Sequence, residues 1–241
     1  SWAEEITWLV PLAVDLNDAL VPTVKKFSLR EGRNVGSEKS HRIVELNGRL
    51  EAFMQEHIYP RERDYEEFTM NPDNLWQLPG WFDELRAEAE EEGLWNLFLP
   101  EEYKPWSPGL TNVEIATIFE TMSKVVWAQP IFNCSAPDRG NMEVLAKYGT
   151  PEQQATWLQP LLAGEIRSAY AMTEPQVASS DATNMELEIV RDGDEYVMNG
   201  RKWFTTGAVG PRCKVMLVMG RTDPEASRHR QHSTILVPWD T

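Results

Sequence analysis

The feature that most limits what this chain can fold into is a change of hydrophobic period near Glu165. Before it, apolar residues recur every three or four positions, the spacing of one helix face. After it they recur every second position, the spacing of one sheet face. Helices first and strands second imply an α+β fold: an N-terminal helical bundle followed by an antiparallel sheet or barrel, each with its own core.

In the helical part, Ile43, Val44, Leu46, Leu50, Phe53 and Met54 predict a helix that begins near Ser37 and is stopped by Pro60. Trp81, Leu85 and Ala89 form a second stripe ended by Gly93, with Glu84, Glu88, Glu90, Glu91 and Glu92 on its solvated side. Thr111 with Glu114 reads as a capping box for a helix running to about Met122. Thr150-Pro151 reads as an N-cap followed by proline at the first helical position, between helices at 141–148 and 152–163. Leu50, Phe53, Leu85, Leu94, Ile118 and Leu161 are the predicted core of this bundle. Ahead of it, Ile6, Leu9 and Val10 have helical spacing, but Pro11 and Pro22 preclude a long helix, and 1–36 reads as an extension or linker. The expected domains are therefore 1–36, a helical domain at 37–164 and an incomplete β-domain at 165–241.

In the second part, Glu186–Ile189 alternates as a half-buried strand, and Asp192-Gly193 signals a tight turn before a strand at 195–198. Asn199-Gly200 is the strongest hairpin signal in the chain. Strands are expected at 202–206, 214–221 and 234–238, and another ending at Thr173.

Composition enters by exclusion. The net charge is −15, which opposes binding to nucleic acid or to an anionic membrane surface. The longest apolar runs, 8–14 and 215–219, are far shorter than a membrane-spanning helix. Glu4 and Glu5 stand where a secretory signal carries positive charge, so an intracellular, reducing location is expected, and the start at Ser1 implies a segment upstream. Two cysteines, Cys134 and Cys213, make no disulfide framework. No phosphate loop or zinc motif occurs. His229 and His232 lie beside Arg228 and Arg230, whose charge disfavours a cation, and no metal site is assigned.

Two stretches carry candidate chemistry. Ser168–Asp181 ends a strand and passes through Pro175 into a run of small and hydroxyl residues, a turn that leaves donors free for a flat polar ring or a phosphate. Lys202–Gly207 sets aromatics beside two threonines. From the residues alone, a ligand site and a sheet edge with satisfied hydroxyls both remain open.

Met172-Thr-Glu-Pro, Ser180-Asp181 and Asn199-Gly-Arg-Lys-Trp203 together resemble the signature of the acyl-CoA dehydrogenase flavoproteins. Phe132–Asp138 and Val177–Asp181 look most like the branch containing family members ten and eleven. The resemblance covers about 37–241 and implies an FAD enzyme that converts acyl-CoA thioesters to trans-2-enoyl-CoA in fatty-acid oxidation. Electron-transferring flavoprotein is the implied acceptor, with a homodimer or homotetramer at full length. It implies that Tyr170, Ala171, Met172 and Thr173 line the flavin pyrimidine. Ser180 is implied near the flavin pyrophosphate and the substrate pantetheine, Trp203 and Phe204 against the ring, and Thr205 as donor to N5. The family's catalytic carboxylate lies in a C-terminal helical domain outside these residues, so no catalytic residue is assigned within them. Glu174 is read as structural, and the 241 residues alone are expected to be inactive and to hold FAD weakly. The implied location is bacterial cytoplasm or, in a eukaryote, mitochondrial matrix or peroxisome. An acyl-CoA oxidase and a non-catalytic interaction module of the same fold are the alternatives.

Overall fold

The computed structural model describes the backbone of Ile6–Pro11 and all of residues 41–241. The rest of the expected 1–36 extension lies outside the described residues. The described residues fall into two compact units: 41–139, and 140–241 together with 6–11.

In the first unit, α1 (His41–Phe53) buries Ile43, Leu50 and Phe53. The helical path does not stop at Pro60. A π-helical turn (Met54–Ile58) and a 3-10 turn (Tyr59–Arg61) carry it into α2 (Glu62–Met70). Pro60 has no N–H to give, and Arg61 Nη1 instead donates to the His57 carbonyl at 2.9 Å. The proline changes the helix's pitch instead of ending it. In α3 (Phe82–Glu91), Phe82, Leu85, Arg86 and Ala89 are buried, and Glu84, Glu90 and Glu91 face solvent. In α4 (Asn112–Met122), Thr111 and Glu114 form the predicted capping box. Thr121 Oγ1 donates to Asn47 Oδ1 at 2.8 Å, tying α4 to α1. Leu50, Phe53, Leu85, Leu94 and Ile118 are all buried, each stabilising the unit by roughly 1.5–3 kcal/mol.

The second unit carries the last helices and the sheet. After α5 (Asp138–Tyr148), Thr150 caps α6 (Pro151–Gln153) in a second capping box, and a π-helical turn leads into α7 (Gln159–Leu162). Leu161 is buried as expected, but it belongs to this unit and not to the bundle of α1–α4. Asn141 Nδ2 on α5 donates to Ser168 Oγ on the first strand that follows, at 2.8 Å, and both residues are buried.

The strands are β1 (Ile6–Pro11), β2 (Arg167–Ala171), β3 (Glu188–Asp192), β4 (Glu195–Gly200), β5 (Cys213–Arg221) and β6 (His232–Pro238). The order is β1-β4-β3-β5-β2, with β6 also on β5. The α+β order is as expected, and the sheet is partial and unclosed. It is mixed, however, because β2 runs parallel to β5 while β6 runs antiparallel to it. β3 meets β5 at a single residue pair, Glu188 and Arg221. β5 is buried on both faces: Met216 and Val218 join Ala169, Ala171, Ile189, Met198 and Val237 in one core, while Val215 and Leu217 are also buried. That explains the continuous apolar run in its sequence.

Four local expectations are corrected. Residues 6–11 form a strand paired along its length with β4, not a helical turn. The β3–β4 hairpin turns at Gly193-Asp194, as the Asp192-Gly193 signal predicts, with Gly193 at φ 62°. Asn199-Gly200 is the end of β4 and not a turn. Glycine is needed at 200 because a Cβ there would sit 2.8 Å from the Leu187 Cα. β2 ends at Ala171, two residues before Thr173, and 201–205 forms no strand.

Candidate functional site

The two irregular stretches that the sequence singled out leave the ends of β2 and β4, and they meet. The Trp203 N–H donates to the Thr173 carbonyl at 3.0 Å. Lys202 Nζ donates to the Met172 carbonyl at 2.9 Å and to Glu174 Oε1 at 2.8 Å. Glu174 also accepts the N–H groups of Glu186 (2.7 Å) and Leu187 (2.9 Å). Its own N–H donates to Ser179 Oγ at 2.8 Å. The Glu174 and Lys202 side chains are 4% and 9% exposed.

Burial by itself would raise the Glu174 carboxyl. The Lys202 hydrogen bond and the two backbone N–H groups outweigh it and hold the group below the ordinary carboxylate range. Burial pulls the Lys202 ammonium below its ordinary value, against the pull of Glu174. Glu174 is thus a charged carboxylate with both oxygens hydrogen-bonded and with its basicity lowered.

Beside this pair lies a cavity of about 350 Å³. Ala171, Lys202, Trp203 and Thr205 line it, with Met198, Met216, Val218, Val237 and Trp239 among the other walls. It is mostly apolar, with Trp203 and Trp239 as its indoles and Arg201, Lys202 and Thr205 as its polar residues. Tyr170, Met172, Thr173, Ser180 and Phe204 are not among its lining residues. Tyr170 directs its hydroxyl to Met219 Sδ at 3.8 Å. Ser180 is exposed in the turn between Ser179 and Asp181. Asp181 caps the next 3-10 turn through Thr183 and is held by Arg228 Nη2 at 2.8 Å.

Phe204 stands out. It has φ 50° and is 78% exposed, with its ring 4.5 Å from that of Trp203. A bulky side chain at positive φ is strained, and Trp76 is likewise exposed at φ 64°. Trp239 and the pairing of Glu174, read from the sequence as structural, with Lys202 were missed by sequence reasoning. Trp239 lies at the end of β6 with no motif around it. Lys202 sat inside a recognised motif, but its partner is 28 residues away.

The N-terminal domain family of acyl-CoA dehydrogenases matches residues 43–165, and the middle-domain family of the same enzymes matches 169–241. The chain belongs to the acyl-CoA dehydrogenase family. Acyl-CoA dehydrogenase family member 10 of Mus musculus is 50% identical over 202 residues, covering 83% of this chain and 19% of that protein. A solved acyl-CoA dehydrogenase structure from Mycobacterium abscessus is 47% identical with a TM-score of 0.79, covering 85% of this chain and 52% of that one. The chain thus spans about half of that relative. A glutaryl-CoA dehydrogenase from Mycobacterium smegmatis, solved with FADH2, has a TM-score of 0.59 at 21% identity and shows the shared fold alone. No helix among the described residues is long and apolar enough to cross a membrane.

Proposed function

We propose that these residues form the helical and flavin-facing parts of an FAD-dependent acyl-CoA dehydrogenase, with a helical domain at 37–164, a β-domain at 165–241 and 1–36 as an extension. The observation that carries this is the meeting of the Tyr170–Thr173 and Trp203–Thr205 stretches through Trp203 N–H and the Thr173 carbonyl, beside an apolar cavity walled by Trp203 and Thr205. The donor set suits FAD: aromatic faces for a flat ring, a hydroxyl for its polar edge, and an exposed serine turn for a phosphate.

Bound FAD would accept the hydride from the substrate β-carbon. The residues of this chain orient and tune. Trp203 and Phe204 pack on the ring, and Tyr170, Ala171, Met172 and Thr173 line its pyrimidine side. Ser180 contacts the pyrophosphate and the pantetheine. Thr205, which lines the cavity, would offer its hydroxyl to N5 of a bound flavin, where negative charge would develop. A carboxylate takes the α-proton, and Glu174, paired with Lys202, is not that base. The substrate is an acyl-CoA of fatty-acid oxidation, electrons pass to electron-transferring flavoprotein, and the full-length protein is a homo-oligomer of the cytoplasm, mitochondrial matrix or peroxisome.

The test is anaerobic addition of acyl-CoA to the full-length flavoprotein. Bleaching of the flavin absorbance supports the reading, and turnover with the acceptor flavoprotein but not with oxygen alone separates a dehydrogenase from an oxidase. Thr205→Val slows bleaching by about tenfold to a thousandfold, the usual loss for one charge-stabilising donor. Unchanged bleaching removes Thr205 from the reaction.

A further inference from the structure

We propose that Glu174 and Lys202 are the positioning residues of this site, a buried ion pair that sets the Tyr170–Thr173 stretch against the Trp203–Thr205 stretch. The proposal rests on the flavin reading above and assigns a role to two residues that reading leaves out.

The argument starts from what regular structure does not supply. β2 ends at Ala171 and β4 at Gly200, so neither 172–174 nor 201–205 has a ladder to hold it. Residues 185–187, which flank the same place, precede β3. One node joins all three segments. Glu174 takes Lys202 from one side and the Glu186 and Leu187 N–H groups from the other. Lys202 adds the Met172 carbonyl at 2.9 Å and lies 3.6 Å from Met185 Sδ. Thr173 adjoins Glu174, and Trp203 adjoins Lys202, so each charged residue sits one peptide away from a residue proposed to touch the ring. A shift of the pair moves both walls.

The chemistry of the node matches that role. A buried charge pair tolerates little displacement, because each partner left alone is an unpaired charge out of water. Apolar packing at the same place would hold the segments together but would not fix their register. Both Glu174 oxygens also accept backbone or ammonium hydrogens, which ties the carboxylate to holding the segments.

The experiment uses full-length protein and reads two quantities besides turnover: the Tm of the flavin-free form, and the FAD dissociation constant from quenching of flavin fluorescence. Lys202→Met and Glu174→Gln each lower Tm, since each strands a charge or its donors. The double variant Glu174→Gln/Lys202→Met strands no charge and recovers much of that Tm. If the pair positions the site, FAD affinity in the double variant stays reduced by about tenfold to a hundredfold, the usual effect of losing a supporting shell. FAD binding that recovers along with Tm overturns the proposal and leaves the flavin reading intact. Wild-type protein that takes up no FAD overturns the flavin reading itself. Where the double variant folds poorly, Lys202→Arg decides: it keeps the charge but brings a larger planar head, so Tm holds while FAD affinity falls, and unchanged affinity overturns the proposal.

Discussion

Phe204 shows how a single residue exposes the trade between stability and function. Its φ of 50° costs the folded chain about 1–3 kcal/mol, and at 78% exposure its ring recovers little of that by burial. Phe204→Gly removes the strain, so the flavin-free form becomes more stable by up to about 1 kcal/mol in urea unfolding, while FAD affinity falls because the aromatic wall is lost. A destabilised variant with normal FAD affinity contradicts this. Glu174 gives a pH test. Its folded carboxyl is held below its ordinary value of 4.5, so its stabilising contribution is complete above that value. The contribution is lost as pH falls from 4.5 through the lower folded-state value. The stability gap between wild type and Glu174→Gln therefore narrows below pH 4.5 and is constant toward neutrality, as urea melts at a series of pH values would read. Residues of this kind were only half legible in the sequence. The motif marked Lys202 and Phe204, because local composition is local information. The backbone twist at Phe204 and the Glu174 partner of Lys202 come from chain segments that only the fold brings together.

At the scale of elements, what depends on neighbours in sequence was readable. The capping box at Thr111, the N-cap at Thr150 and the stripes that bury Leu50, Leu85 and Ile118 follow from short spacings and are as expected. What depends on pairing was not. The turn at Gly193 is as Asp192-Gly193 signals, but Asn199-Gly200, with the stronger turn chemistry, ends β4, and Gly200 serves a close approach to Leu187. Two glycines separate these uses experimentally. A Cβ at 200 would meet backbone at 2.8 Å, so Gly200→Ala costs about 1–3 kcal/mol. Gly48, exposed in α1, has nothing within 4 Å of a built Cβ, so Gly48→Ala stabilises by up to about 1 kcal/mol. Equal effects of the two substitutions on urea unfolding would show that the approach to Leu187 is not what demands glycine at 200.

For the whole molecule, the order of helices and then strands was legible from the change in period, but the grouping of elements into cores was not. Period identifies a helix and says nothing about which neighbour it packs against. Leu161 is the residue on which this turns. Sequence order places it with the bundle of α1–α4, whereas the structure places it with residues 140–241. There Asn141 on α5 is hydrogen-bonded to Ser168 on β2, and Leu145 shares a small apolar cleft with Leu217 and Leu236 of the sheet. Leu161 is 1% exposed, so Leu161→Ala opens a cavity costing about 2–5 kcal/mol. Chains with two cores need not unfold in one step, and native-state hydrogen exchange resolves which cooperative unit absorbs the loss. The amides of β2 and β5 then lose protection by the full cost of the substitution, and those of α1 and α4 keep theirs. The reverse pattern, with α1 and α4 loosened and β5 unchanged, would return Leu161 to the helical core that sequence order assigns it.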